Sequence, residues 1–306
     1  MLTKRVAKLM GNRFEISVIG PDENWGNSKI ELAIQEIQRI EKLLTTFSEE
    51  SVTSHINNNA GIQAVKVPVE VFELIERSQM ISKITQGAFD LSYGSIDKKL
   101  WNFDTKMKVL PDEETAKKAV ALINYKNIFL DKEEQTVFLK NKGMRIGFGG
   151  IGKGYAAEMA KKVLLKEGVN DGIVNASGDL SAWGTQENGE PWTIGIANPN
   201  HQNAIFSTFK LTNKAVATSG NYEKYVIIDN KKYSHTIDPK TGYPVSGIKS
   251  VTIIAENAEI ADALATPVTV MGIEVGMDFI NQLKHIGCII IDDNDRKYFS
   301  ENIKLT

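Results

Sequence analysis

The chain has 306 residues, 42% of them hydrophobic and 24% charged, with a net charge of −2. That composition supplies material for a sizeable core, and the length suits one large or two modest domains. The charge balance gives no basic excess that would mark a nucleic-acid binder, and a single cysteine, Cys288, excludes both an internal disulfide and a cysteine metal cluster.

Residues 1–6 hold no long apolar run and no lipoprotein cysteine, and no segment has the length of a bilayer span. The chain as written is therefore expected to be soluble and cytoplasmic, or exported if a native signal or lipoprotein segment has been removed. Residues 13–19 alternate Phe14, Ile16 and Val18 with polar neighbours and predict a strand. Ser28-Lys29-Ile30-Glu31 has the form of a capping box, and the stripe Ile30, Ala33, Ile34, Ile37, Ile40, Leu44 predicts the helix it would open. Pro68 is expected to open a second helix carrying Phe72, Ile75 and Ile84, which stops near Gly87. A third, after Pro111, would carry Ala116, Ala119 and Leu122. Residues 127–131 and 136–140 predict a hairpin.

Farther along, residues 152–166 predict a helix ending before Gly168, followed by a short strand at 173–175. Strands are expected at 193–197, 207–211, 225–228 and 251–255, then a helix from about Ala258 and a last strand around 288–291. Cys288 lies in that apolar run and reads as a buried strand residue. Helices and strands come in mixed runs without strict βαβ alternation, which favours α+β over a doubly wound sheet. No linker composition marks an internal boundary, so residues 1–306 are taken as one domain.

Chemistry is concentrated in a few segments. Gly147-Phe148-Gly149-Gly150-Ile151-Gly152-Lys153-Gly154-Tyr155 precedes a helical pattern, so its backbone can approach an anion at a helix N-terminus. No Ser or Thr follows Lys153, so it is not a Walker motif; a purely structural turn fits the same residues. Asn175-Ala176-Ser177-Gly178-Asp179-Leu180 follows a strand and suits a binding loop or a plain turn. His235 lies in Ser234-His235-Thr236-Ile237-Asp238-Pro239-Lys240-Thr241-Gly242, whose Asp-Pro and Thr-Gly pairs make turns. A histidine there can move protons near neutral pH or can be an ordinary turn residue. His55, His201 and His285 lack comparable surroundings. Finally, Asp262 and Thr266 stand four apart on a predicted helix and face one side. Carboxylate and hydroxyl oxygens suit Mg²⁺ rather than zinc, but two ligands do not complete an octahedron. For an isolated pair, a solvated Asp and a Thr bonded back to its own helix is the commoner case.

Taken in order, these segments resemble the ApbE family of FAD:protein FMN transferases. The likeness runs through Met10-Gly11, Thr46-Phe47-Ser48-Glu49-Glu50-Ser51 with Asn57, Gly87-Ala88-Phe89-Asp90 and Trp101-Asn102-Phe103. It continues through Gly149 to Tyr155, Ser177-Gly178-Asp179, Thr218-Ser219-Gly220-Asn221-Tyr222, the His235 segment, and Asp262 to Thr266. The resemblance implies an α+β fold related to the T-fold, built as two intertwined subdomains with the FAD site between them. It implies Mg²⁺ beside the FAD pyrophosphate, with Asp262 and Thr266 as side-chain ligands and Gly152 offering a backbone carbonyl. It assigns catalysis to His235, and Met10, Phe47, Gly178, Asp179 and Ser219 to the lining of the flavin nucleotide. The implied reaction moves FMN from FAD to a threonine hydroxyl of an acceptor protein, a redox-complex subunit, and releases AMP. Hydrolysis of FAD to FMN and AMP by the same site, and non-catalytic FAD binding, are the alternatives. The chain departs from the family pattern at Asn12, Gly147, Gly152, Ser177 and Pro267. Pro267 lacks an N–H and follows Thr266 directly, so it is expected to kink the helix.

Overall fold

The computed structural model describes residues 1–96, 109–197, 205–220 and 225–303. The first half runs β1 (Leu2–Leu9), β2 (Asn12–Ile19), α1 (Glu23–Leu44), α2 (Val52–Asn58), β3 (Val65–Lys66), α3 (Val69–Ile84), α4 (Glu113–Ala119), β4 (Ile128–Asp131) and β5 (Thr136–Leu139). The second half begins with α5 (Gly152–Lys166), β6 (Gly172–Ala176), β7 (Asp179–Trp183), β8 (Trp192–Ala197), β9 (Ile205–Leu211) and β10 (Lys214–Gly220). It ends with β11 (Tyr225–Ile228), β12 (Lys231–Ser234), β13 (Ile248–Ala255), α6 (Ala258–Met271), α7 (Ile273–Asn281), β14 (Gly287–Asp292) and β15 (Lys297–Phe299).

Strands from both halves form one eight-stranded sheet in the order β1-β2-β6-β7-β10-β13-β14-β15, antiparallel throughout. Alternation gives the sheet two apolar faces. Phe14, Ile16, Val18, Val174, Ala176, Ala215, Ala217, Val251 and Ile253 belong to the main core with the inner stripes of α1, α5 and α6. Their neighbours Ile19, Ile173, Leu180, Ala182, Val216 and Ile254 pack instead with Trp192, Ile194, Phe209 and Leu211 of the β8–β9 hairpin. The small sheet β3-β5-β4 and helices α2 and α3 join the main core through Ile56, Val65, Phe72, Ile75 and Val137. The α+β expectation holds, with the helices on one face of an antiparallel sheet.

The helix α1 begins earlier than its sequence pattern predicts. Asp22 caps it, accepting a hydrogen bond from the Trp25 backbone N at 2.9 Å. Ser28 lies inside the helix with its hydroxyl donating to Trp25 O, so the capping box is not used. The predicted stripe is nonetheless buried from Ile30 to Leu44. Other expectations need similar correction. Ile84 is exposed at the end of α3, and Leu122 lies beyond α4. The expected last helix is two, parted at Gly272. Strands β1, β3, β7, β10, β12 and β15 carry no predicted strand. β1 shows why, because its outward residues Leu2 and Val6 are as apolar as its inward ones.

Candidate functional site

Two tight turns bring separate parts of the sequence to one end of the sheet. The β1–β2 turn at Met10-Gly11 sits near the register pair Phe14–Ala176, and Ala176 pairs with Asp179 across the next hairpin. That second connection is a two-residue turn rather than an open loop. Ser177 and Gly178 have φ of 58° and 104°, a left-handed pair that only glycine adopts without cost at the second position. The Asn175 side chain accepts the Gly178 N–H at 2.8 Å and fixes the turn. Asp179 therefore starts β7 with its side chain on the helix-bearing face, where it is 3% exposed. Ser219 lies near the same end of β10, pairing with Val251. Thr218 donates its backbone N–H to Asp179.

The glycine-rich segment is held against this end. Asn57 of α2 clamps Ile146 through both backbone groups, at 3.0 and 2.7 Å, and Gly147 N donates to Leu91 O. The chain then turns at Phe148, whose carbonyl accepts Gly152 N at 2.7 Å, and enters α5. Gly152 is the first residue of α5, buried beside the Met10 side chain. The helix α6 crosses α5 here. A Cβ on Gly154 would stand 2.1 Å from the Ala258 carbonyl oxygen, so no larger residue allows the approach. Glu158 ties the same crossing, accepting from Ala258 N and from the Ser181 hydroxyl of β7.

This crossing places Asp262 against the start of α5. Its Oδ2 accepts Gly154 N at 2.9 Å, and its side chain is almost fully buried. Thr266, one turn on, faces the glycine-rich turn, with its hydroxyl 4.0 Å from where a Cβ of Gly150 would be. The helix runs past Pro267 to Met271. Sequence reasoning missed Lys153 as a site residue. Its ammonium forms an ion pair with Asp179 and lies 3.8 Å from Asp262 Oδ1. Burial alone would lower its pKa, but the charges of Asp262 and Asp179 overcome that and raise it. Asp179 is shifted upward, first by burial and then by the Asp262 charge, with Lys153 opposing. No spacing in the sequence marks Lys153, because its partners come from β7 and α6 and meet it only through the fold.

Among the described residues no three His, Cys, Asp or Glu side chains gather as a metal site. A metal at this corner would instead take the Asp262 carboxylate, the Thr266 hydroxyl and backbone carbonyls. That set of hard oxygens fits Mg²⁺ in chemical type.

His235 follows β12 and is exposed. Its segment leaves the sheet after β10 and returns at β13, whose Ser250 pairs with Gly220, so the topology carries it from the same end. The segment is braced by Ser234 N to Val245 O, Val245 N to Thr236 O, and Ile237 N to the Tyr93 hydroxyl at 3.0 Å. Asp238 closes the following turn, accepting from Lys240 N and the Thr241 hydroxyl. Phe47 stands 98% exposed in the turn after α1. In the Gly87 to Asp90 motif, buried Asp90 accepts from Ser92 and from Tyr125 N. His55 and His285 are exposed elsewhere, at the end of α2 and in the turn before β14. Trp101-Asn102-Phe103, His201, Asn221 and Tyr222 lie outside the described residues.

Comparison with known proteins gives a consistent picture. A sequence model of the ApbE family matches residues 10–290. A protein of Klebsiella pneumoniae (strain 342) named FAD:protein FMN transferase is 31% identical over 94% of this chain and 88% of its own. The crystal structure of the ApbE protein from Thermotoga maritima MSB8 matches with a TM-score of 0.88 and 31% identity, covering 98% of this chain and 97% of that one. The apo form of the Pseudomonas stutzeri flavinyl transferase ApbE has the same fold, with a TM-score of 0.86 at 24% identity over 99% of this chain and 95% of its own.

Proposed function

The chain belongs to the ApbE family, and from that premise we propose that it is an FAD:protein FMN transferase that uses Mg²⁺ and a threonine acceptor. The observation that carries the reading is the α5–α6 crossing. It holds the buried Asp262 carboxylate on Gly154 N at 2.9 Å and sets Thr266 one turn farther along, beside the glycine-rich turn. A dinucleotide needs a place where its pyrophosphate meets backbone N–H groups and hard oxygen ligands for a metal, and this corner supplies both kinds of group.

In the proposed reaction the threonine oxygen attacks the FMN-side phosphorus. A new phosphoester P–O bond forms, the bond to the bridging oxygen breaks, and that oxygen leaves on AMP. His235 takes the threonine proton, a contribution of typically ~10²–10⁴ in rate. Its exposed position leaves it open to an acceptor protein. Asp262, Thr266 and the Gly152 carbonyl would hold the metal, which when bound would neutralise pyrophosphate charge and stabilise the leaving AMP. Asp179, Gly178 and Ser219 line the nucleotide side. Met10, packed beside Gly152, and the projecting Phe47 supply apolar cover for the flavin. The acceptor is expected to be a subunit of a redox complex.

Incubation with FAD and Mg²⁺, with and without candidate acceptor proteins from the same source, tests the reading. Transfer gives a fluorescent acceptor band on a denaturing gel, dependent on its threonine, with AMP released in equal amount. Free FMN and AMP without a labelled acceptor point to a hydrolase, and unchanged FAD to a binding protein.

A further inference from the structure

The Lys153 ammonium occupies an acidic corner that the proposed metal would also occupy. It pairs with Asp179 and sits 3.8 Å from Asp262 Oδ1. Both carboxylates are nearly closed off from solvent, with side chains 4% and 7% exposed, while Lys153 is 27% exposed. Two buried carboxylates side by side repel each other and have lost most of their hydration, so they need a cation. Oδ1 of Asp262 faces the lysine, while Oδ2 is engaged by Gly154 N. Oδ1 is the oxygen a metal ion would take.

We propose that Lys153 is a built-in counter-ion that holds the divalent cation's place in the metal-free protein and yields it when the metal binds. An ammonium and a divalent ion cannot share one carboxylate oxygen at close range without strong repulsion. Asp262 and Gly154 are fixed by the crossing of two helices, so the carboxylate does not retreat. Lysine has a flexible four-carbon stem and a partly exposed side, so it is the group that moves. Lys153 thus balances the two buried carboxylates, and weakens metal binding by competing for Asp262. The inference rests on the metal assignment under the proposed function.

The test uses the full chain without flavin. Titration calorimetry with Mg²⁺ should show Lys153→Met binding at least about tenfold tighter than the unaltered protein, with a lower melting temperature in the absence of metal. Lys153→Arg keeps the cation and should stay within about threefold of the parent. Equal or weaker binding by Lys153→Met overturns the proposal. A second measurement does not depend on that variant folding. Acetylation of Lys153 in the unaltered protein, followed by mass spectrometry, should speed up several-fold on adding Mg²⁺. An unchanged or slower rate counts against displacement. Asp262→Asn separates the two ideas. If it abolishes Mg²⁺ binding while Lys153→Met binds no tighter, the metal site stands and the counter-ion role falls. If it binds Mg²⁺ as the parent does, both fall.

Discussion

At the scale of single residues, the proposed chemistry divides between a group that holds charge and a group that moves a proton. Asp262 is buried, and Gly154 N depends on it for a hydrogen bond at 2.9 Å. Asp262→Ala should therefore do two things. It should abolish Mg²⁺-dependent transfer, and it should cost about 1–3 kcal/mol of stability because a buried donor loses its acceptor. A urea melt and a transfer assay read the two effects separately, and normal transfer at limiting Mg²⁺ would remove Asp262 from the metal site. His235 is different in kind, being exposed on a braced turn. His235→Ala should leave the melting temperature and FAD binding near the parent values while slowing single-turnover transfer by ~10²–10⁴. Unimpaired single-turnover transfer would take His235 out of the mechanism. The facing of Asp262 and Thr266 was legible in the sequence, because a spacing of four fixes one side of a helix. Lys153 was not, because its partners come from β7 and α6 and meet only through the fold.

At the scale of elements, the site depends on how closely α5 and α6 cross. Gly154→Ala would drive a methyl to 2.1 Å from the Ala258 carbonyl oxygen, so the helices must separate. The expected cost is about 1–3 kcal/mol, with weaker Mg²⁺ binding as Asp262 shifts, read by urea midpoint and calorimetry. An unchanged midpoint would mean that the crossing is not tight. A second tie joins α1, α3 and α5 through Arg39, Glu70 and Tyr155, with Arg39–Glu70 at 2.6 Å and Tyr155–Glu70 at 2.7 Å. Glu70 is held below its ordinary range of 4.5, first by the hydrogen bond from Arg39 and with help from Tyr155. A carboxyl depressed in the folded state stabilises above its unfolded pKa and loses that contribution as the pH falls through the folded value. Glu70→Gln should therefore flatten the acid side of the stability profile below about pH 4.5, and a melting curve series in that range checks it. The effect should be small, because the pair is partly exposed. Helices with one apolar stripe were readable from the sequence. The start of α1 was not, since Ser28 and Asp22 both have the chemistry of a cap and only the fold selects Asp22. Strand β10 escaped because Ala215-Val216-Ala217 is apolar toward both faces, which removes the alternation that marks a strand; β7 alternates but is only five residues long and follows a turn-like Asn-Ala-Ser-Gly segment.

At the scale of the whole molecule, an antiparallel sheet carries helices on one face and a hairpin on the other, and its two turn-bearing hairpins open at one end. The fold gathers Met10, Gly152, Asp179 and Asp262 there from positions far apart in the chain. The glycine-rich turn and its helix could be predicted from the sequence; the sheet order that seats them could not, because β6 follows β2 only after the whole α1–α5 segment. A groove on the small sheet, lined by Ile62, Ala64, Phe129 and Phe138, holds none of these residues. The most direct test of the account is a crystal of the full chain soaked with FAD and Mg²⁺. The expected result is one metal about 2.0–2.1 Å from an Asp262 oxygen and the Thr266 hydroxyl, against the FAD pyrophosphate and with His235 nearby. FAD bound in the Ile62–Phe138 groove, or a pyrophosphate away from Asp262 and Thr266, would contradict it.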